Sequence, residues 1–259
     1  MKSFVPLSLS FLLVLALAPA VVGQDGAPSS STTAELSVDD LVAKSIEARG
    51  GRDAWKAIEA VRLEGTASFG EDDATFTVVF KRPGRMKMTV DTGSGLMVQA
   101  YDGTTAWQTM PMMGKTQVQV LEDGQRDAVV RQADFEGPLI DWRDKGHTVT
   151  YAGPGEVEGV PAHRLEVDLG GGVSTIYLDA ESFRELQVIG EAETPLGAVK
   201  TTVRYDDYRE VGGILLAHEI TYSTEGSPIT QTVRFQSIEA LDAAEVADDT
   251  FAAPTGAGG

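Results

Sequence analysis

Apolar and polar residues alternate between positions 74 and 110 in a pattern typical of antiparallel β-strands. Three runs follow one another, separated by turn-forming sequences such as Pro83-Gly84. Their apolar positions are Phe76, Val78, Phe80, Met86, Met88, Val90, Leu96, Val98 and Ala100. Because successive residues of a strand point to opposite faces, each run presents one apolar face. We therefore expect a half-buried meander that the rest of the chain packs around.

The same alternation extends before and after this meander. An earlier run covers residues 61–69, and seven further runs lie between His147 and Phe235. The connectors between them are rich in the glycine, proline, serine, threonine and acidic residues that favour turns, as in Gly153-Pro154-Gly155. The sequence thus predicts about 11 to 12 antiparallel strands.

Helical patterns precede the strands and interrupt them once. Ser37 and Asp40 form a capping-box pattern before an amphipathic stripe that ends at Gly50-Gly51. Further helical segments are expected at residues 53–60, 127–135 and 139–146. Because the helices are segregated from the strands, the predicted class is α+β: a strongly curved antiparallel sheet with helices that plug its concave side.

The N-terminal residues predict export from the cytoplasm. Lys2 precedes a mostly apolar run that is too short to span a membrane, and small residues follow it, so residues 1–23 have the pattern of a signal peptide. Residues 24–36 are expected to form a disordered leader, 37–254 a single domain and 255–259 a flexible tail. The sequence has no cysteine for lipid attachment. We expect a soluble, non-lipidated periplasmic monomer.

The charge and the reactive residues argue against several classes of function. The formal net charge is −18, which disfavours binding to nucleic acid phosphates. The three histidines, His147, His163 and His218, are far apart in sequence and show no metal-site spacing. No nucleophile motif is present, so we expect no catalytic residue, no metal and no cofactor.

Methionines are concentrated in the meander and just after it. Six of the seven fall between positions 86 and 113. Methionine is flexible and polarizable, so the cluster is compatible both with core packing and with a surface that contacts apolar ligands. The segment Met110-Pro111-Met112-Met113-Gly114 either folds into the core or forms a flap over a cavity. The candidate ligand-lining residues are Phe76, Val78, Phe80, Met86, Met88, Val90, Leu96, Val98, Trp107, Met110, Met112 and Met113.

Several segments resemble the bacterial outer-membrane lipoprotein-sorting protein family, the LolA-like periplasmic carriers. They are Ala48-Arg49-Gly50-Gly51 before Trp55, the segment 100–107, the segment 132–139 and the ending 249–254. The resemblance covers residues 36–254 and consists of turn and packing residues. It implies an incomplete β-barrel closed by helices around an apolar cavity that shelters acyl chains, and it assigns no ligand residue.

The first hypothesis from the sequence is a non-enzymatic carrier that binds a lipid or a lipoprotein acyl chain between sheet and helices. Its partners would be lipids or acylated lipoproteins, together with membrane-bound release or acceptor proteins, and no nucleic acid. The alternative is an envelope sensor or binding module on the same fold, with a filled core and an exposed contact face. A hydrolase is the least favoured class, because it needs converging polar side chains that the alternation does not predict.

Overall fold

The computed structural model describes residues 36–69, 72–112, 115–170, 172–194 and 197–254. The α-helices are α1 (Val38–Ala48), α2 (Arg52–Ala57) and α3 (Asp123–Gln132). The strands are β1 (Ala60–Phe69), β2 (Asp72–Lys81), β3 (Arg85–Asp91), β4 (Leu96–Tyr101), β5 (Ala106–Met112), β6 (Lys115–Leu121), β7 (Thr148–Val157), β8 (Val160–Asp168), β9 (Val173–Asp179), β10 (Glu185–Thr194), β11 (Gly197–Val211), β12 (Ile214–Thr224) and β13 (Thr230–Leu241). Short 3-10 helices cover Ala243–Glu245 and Asp248–Phe251.

The strands form one antiparallel sheet whose first and last strands meet in the middle. The order across the sheet is β6-β5-β4-β3-β2-β1-β13-β12-β11-β10-β9-β8-β7. The chain therefore runs outward from β1 to one edge at β6 and returns inward from the other edge at β7. Residues 122–147, which we call the crossover segment, connect these two edges and contain α3. Since it joins opposite edges of a curved open sheet, this segment crosses the sheet's face.

The predicted α+β class and the curved, incomplete barrel are confirmed, with 13 strands in the described residues rather than 11 to 12. The difference arises after Trp107, where β5 continues through Pro111 and pairs with β6. Pairing between β4 and β5 ends at Thr109, so the proline lies beyond the β4 ladder. The helix predicted at 139–146 was wrong: this stretch forms hydrogen-bonded turns, although Leu139 and Ile140 are fully buried.

Three apolar clusters hold the helices against the sheet. The largest packs the β2 and β3 side chains beneath Val129 and Ala133 at the C-terminal end of α3. A second packs Leu41 and Val42 of α1 against β7 to β11, and a third surrounds Trp55 of α2. The sequence predicted this helical plug, and the space between the clusters contains the cavity described below.

The N-cap of α1 provides a local test of the fold. The Ser37 hydroxyl accepts a hydrogen bond from the Asp40 backbone N–H at 3.1 Å, and the Asp40 carboxylate accepts one from the Ser37 N–H. Ser37→Ala removes this cap and is expected to lower the free energy of unfolding by about 1 kcal/mol. Urea denaturation measures the change, with Ser223→Ala, at an exposed position of β12, as the control. Equal unfolding midpoints for the two variants would contradict the prediction.

The predicted signal peptide (1–23), residues 24–35 of the leader and the tail (255–259) lie outside the described residues, and so does Met113. None of the described helices has both the length and the apolar character needed to cross a membrane.

Candidate functional site

A half-open cavity of about 250 Å³ lies between the middle of the sheet and the crossover segment. The sheet side consists mainly of aliphatic and aromatic side chains from strands β1, β2 and β11 to β13. These are Val61, Leu63, Phe80, Val203, Tyr205, Tyr208, Leu215, Leu216, Ala217, Ile220, Tyr222, Phe235 and Ile238. The opposite side is formed by Trp55 of α2 and by residues 131–138 of the crossover segment. The cavity is therefore an apolar chamber with a few polar groups in its wall.

The backbone of β11 directs two tyrosines toward this chamber. In a regular strand Tyr205 and Tyr208 would point to opposite faces, because they are an odd number of residues apart. Asp207 between them adopts a left-handed conformation with φ of 52°, which interrupts the alternation. Both tyrosines consequently line the cavity. Burial raises the pKa of Tyr205, Tyr208 and Tyr222 well above the ordinary value, so their hydroxyl groups remain protonated and neutral.

A group of ion pairs fixes the crossover segment over the cavity. Glu136, whose side chain is only 6% exposed, accepts a hydrogen bond from Arg82 Nη2 at 2.5 Å and one from Lys56 Nζ at 3.2 Å. Lys56 also contacts Asp141 at 2.5 Å, and Lys145 contacts Asp134 at 2.5 Å. We call Glu136, Asp141, Lys56 and Arg82 the latch, because they join the crossover segment to α2 and to the β2–β3 turn.

The latch carboxylates are held in their charged form. Burial by itself would raise the pKa of Glu136, but the hydrogen bonds from Arg82 and Lys56 outweigh it and keep that pKa below its ordinary value. The hydrogen bond from Lys56 likewise lowers the pKa of Asp141. A carboxyl group whose pKa is lowered by folding stabilises the protein above its ordinary pKa, and the stabilisation is lost as the pH falls through the folded pKa.

Acid is therefore expected to weaken the latch. The stabilisation should be fully present above about pH 5 and should decline below the ordinary values of 4.5 for Glu136 and 3.8 for Asp141. The measurement is the urea midpoint at about pH 7 and about pH 3 for the wild type and for the double variant Glu136→Gln, Asp141→Asn. The variant should lose less stability on acidification. An equal loss in both proteins would show that the latch does not contribute to acid sensitivity.

A polar group interrupts the apolar wall where the α1–α2 turn meets the β11–β12 turn. The carbonyl oxygen of Arg49 accepts hydrogen bonds from the Leu215 N–H and from the Trp55 indole N–H, each at 3.0 Å. Gly50 has a φ of 106°, and a Cβ atom there would lie 2.3 Å from the carbonyl oxygen of Gly213. The glycine is required for this close approach. The segment Ala48-Arg49-Gly50-Gly51 thereby positions the Arg49 side chain in the cavity wall.

Arg49 faces Glu185 of β10 within the cavity. Arg49 Nη1 lies 3.7 Å from Glu185 Oε1, and the two side chains are only 9% and 10% exposed. The Arg49 guanidinium lies 4.9 Å from the Trp55 ring centre. Three buried polar atoms of the pair have no hydrogen-bond partner: Arg49 Nε, Arg49 Nη2 and Glu185 Oε1. The pair therefore presents two unused donors and one unused acceptor.

The residues predicted to line a ligand site fall in four places, of which three are described first. Of that set, Phe80 contributes to the cavity wall. Phe76, Val78, Met86, Met88 and Val90 are buried in the cluster under α3. Leu96 is 53% exposed, and Val98 is partly buried on β4. Ligand contact by these residues stays a prediction.

The remaining members of that set belong to β5 or follow it. Trp107 is buried, and its indole N–H donates a hydrogen bond to the carbonyl oxygen of Phe251 at 2.8 Å, which joins β5 to the C-terminal 3-10 helix. Met110 and Met112 lie in the part of β5 that pairs with β6 beyond the end of β4. This segment thus forms the end of a hairpin, and a flap role stays a prediction.

None of the three histidines is among the residues that line the cavity, and each has a local partner. His147 Nδ1 is 3.0 Å from the carbonyl oxygen of Pro138, and His218 Nδ1 is 3.1 Å from that of Leu216. His163 stacks on Phe183 with 5.7 Å between ring centres. Over the residues that the structure describes, no group of three or more potential metal-ligating side chains converges.

The fold is similar to three solved bacterial structures. A LolA superfamily protein from Nitrosomonas europaea has a TM-score of 0.56 and 14% identity, over 85% of this chain and 99% of its own. A DUF1329 family protein from Desulfovibrio piger has a TM-score of 0.56 and 9% identity, over 83% and 97%. An outer membrane lipoprotein-sorting protein domain from Vibrio parahaemolyticus has a TM-score of 0.50 and 9% identity, over 79% and 94%. No family model and no curated protein sequence matches the chain. The structures confirm the sequence resemblance at the level of the fold.

Proposed function

Since the chain has a LolA-like fold, we propose that it is a non-enzymatic carrier that binds an acyl chain of a lipid or lipoprotein in the cavity beneath the crossover segment. The observation that carries the proposal is the chamber of about 250 Å³ with largely aliphatic and aromatic walls. Close packing fills most protein interiors, so an apolar space of this size is typical of a ligand site.

The cavity volume sets the scale of the ligand. Water occupies about 30 Å³ per molecule in the liquid, so the chamber holds on the order of eight water-sized groups, and a methylene is of similar size. Burial of eight methylenes contributes about 6 kcal/mol before the losses of association. One medium-length chain therefore fits the closed form, and a longer chain requires the crossover segment to move outward.

The ion pairs of the latch are the contacts that must break before the crossover segment can move outward. The crossover segment is held by a few ion pairs at its rim, and its aromatic residue Phe135 faces the chamber beside Trp55 and Phe80. Displacement of this segment would expose the apolar chamber. In the proposed function a membrane or an acceptor protein opens the segment and receives the acyl chain, in an envelope compartment reached by export.

The test of this proposal is a titration of the purified protein with an uncharged fluorescent acyl probe of about ten carbons, such as a labelled fatty-acid methyl ester, followed by displacement with unlabelled lipids. We expect saturable binding with a dissociation constant of about 0.1 mM, because the roughly 6 kcal/mol from burial corresponds to about 40 µM before the losses of association. Probe fluorescence that does not saturate, or that detergent-free lipids do not displace, would contradict the carrier function. In that case the binding-module alternative, which needs no open chamber, would be favoured.

A further inference from the structure

The Arg49–Glu185 pair is an incomplete polar site inside an apolar cavity. Both side chains are about nine-tenths buried, yet Arg49 Nε, Arg49 Nη2 and Glu185 Oε1 have no hydrogen-bond partner. Buried polar atoms left unpaired are costly, and native proteins nearly always satisfy them. A ligand that occupies the cavity and supplies the missing partners would remove this cost. The unpaired atoms therefore indicate the chemistry of the ligand's head group, and the apolar walls indicate that of its tail.

The missing partners define the chemistry of that head group. It must present an acceptor to the Arg49 donors and a donor to the Glu185 oxygen. Because Arg49 Nη1 and Glu185 Oε1 are only 3.7 Å apart, one small group can contact both side chains. A hydroxyl does so with a single oxygen, which accepts from the guanidinium and donates to the carboxylate.

The charges of the cavity disfavour an anionic head group. Arg49 and Glu185 oppose each other, so a carboxylate bound to the guanidinium would also lie against the Glu185 carboxylate. The acids on the crossover side, Asp134 and Glu136, already have Lys145, Lys56 and Arg82 as partners. An anion placed at the Arg49–Glu185 pair would lose its hydration without a net electrostatic gain. Arg131, elsewhere in the wall, has an unpaired Nε and is the position where an anion would bind instead.

We propose that the cavity selects an uncharged, hydroxyl-bearing amphiphile, such as a monoacylglycerol or a fatty alcohol, whose hydroxyl bridges Arg49 and Glu185 while its chain lies along the apolar wall. This inference rests on the proposed carrier function and adds the class of ligand. Tyr205 and Tyr208 stand at the same end of the cavity, and Tyr208 donates its hydroxyl hydrogen bond to the Glu185 carbonyl oxygen at 2.8 Å. That bond fixes the β10 backbone that carries Glu185.

The experiment compares three ligands with the same ten-carbon chain by displacement of the fluorescent probe. They are 1-monodecanoylglycerol, methyl decanoate and decanoate, so the tail contributes equally and only the head group changes. The variants are Glu185→Gln, the double variant Arg49→Met, Glu185→Met, and the single variant Arg131→Met. The matched control is the double variant Glu219→Met, Arg234→Met, which removes an exposed ion pair outside the cavity lining. Arg131 also lines the cavity, and its buried Nε has no hydrogen-bond partner, so Arg131→Met tests whether this second arginine binds an anionic head group. The Met pair is included because replacing both buried charges is usually tolerated by the fold.

The expected result is a change in relative affinity that depends on the pair. In the double variant Arg49→Met, Glu185→Met the preference for 1-monodecanoylglycerol over methyl decanoate should fall about tenfold from its wild-type value, as expected for a lost buried hydrogen bond to a charged group. In Glu185→Gln the preference should fall by a smaller factor, because the amide oxygen still accepts the hydrogen bond but carries no charge. Decanoate should bind Glu185→Gln at least about tenfold more tightly than wild type, because Arg49 then lacks an opposing carboxylate. The control Glu219→Met, Arg234→Met should keep the wild-type preferences.

Two results would overturn the inference while leaving the carrier function intact. One is equal head-group preference in wild type and both Glu185 variants, which would mean that water completes the pair as a structural feature. The other is tighter binding of decanoate than of 1-monodecanoylglycerol to the wild type, with the difference lost in Arg131→Met. If none of the three ligands displaces the probe from the wild type and the probe itself does not saturate, the carrier function fails as well.

Discussion

A tryptophan in place of Ala217 is expected to weaken binding of the acyl probe at least about 30-fold. Ala217 lies on β12 in the cavity wall, opposite Tyr208 of β11, and is the smallest side chain in that part of the wall. An indole group projecting from this position would occupy much of the 250 Å³ chamber. The loss corresponds to about 2 kcal/mol of binding free energy, a modest share of the apolar burial that the chain would contribute.

The control for this variant is Ala244→Trp, at an exposed position of the first 3-10 helix. Both variants should retain the β-sheet circular dichroism spectrum, and the urea midpoint of Ala217→Trp should fall only modestly, because the added ring enters space that is not close-packed. Probe affinity within about threefold of wild type in a folded Ala217→Trp protein would contradict the assignment of the cavity as the binding site.

The second large effect is expected at the latch. Glu136→Gln removes the charge that Arg82 and Lys56 share and should lower the free energy of unfolding by about 2 kcal/mol. Arg82 keeps its hydrogen bonds to the carbonyl oxygens of Ile58 at 2.8 Å and Trp55 at 2.9 Å, so the loss is smaller than for a fully isolated buried charge. Chemical denaturation measures the change.

The matched control is Glu219→Gln, which removes a carboxylate from an exposed pair with Arg234 at 2.9 Å. An exposed pair contributes about 0–1 kcal/mol, so this variant should remain close to wild type. Hydrogen exchange measures the effect locally. The exchange rates of the amides of residues 131–146 should be higher than in the wild type in Glu136→Gln and equal to the wild type in Glu219→Gln. Uniform exchange rates across wild type and both variants would show that Glu136 does not hold the crossover segment.

Strand alternation and capping chemistry predicted most of the fold. The capping box at Ser37, the turn at Gly50-Gly51 and the seven strands after His147 all follow from local residue patterns, which act over a few positions. The strand pairing at Pro111 was not predicted. A proline is acceptable where a strand extends past its neighbour, and the local sequence does not show where the pairing of two strands ends.

The cavity was less accessible to sequence reasoning. A period of two shows that Val203, Tyr205, Ile220 and Tyr222 each belong to a strand face, but it does not show which face of the sheet is concave. The left-handed residue Asp207, which turns Tyr208 to the same side as Tyr205, has no distinctive sequence signal.

The polar pair was missed for a different reason. In the sequence Arg49 is recognisable only as part of a turn motif, and Glu185 is the first residue of β10, directly after a turn. Arg49 and Glu185 come close together only because the α1–α2 turn packs against the β11–β12 turn. Their separation along the sequence therefore gives no sign of the contact. The methionine-rich run, by contrast, gave a strong local signal, and its β3 members, Met86 and Met88, lie in the core cluster under α3.

Native mass spectrometry of the protein purified from the envelope of its own cells, with lipid extraction of the same sample, tests the carrier function most directly. We expect a population whose mass exceeds that of the polypeptide by one acyl-chain compound, an uncharged hydroxylated lipid recovered in the extract, and loss of that population in Ala217→Trp. A wild-type protein that carries no lipid, and that takes none up from added 1-monodecanoylglycerol, would contradict the carrier function.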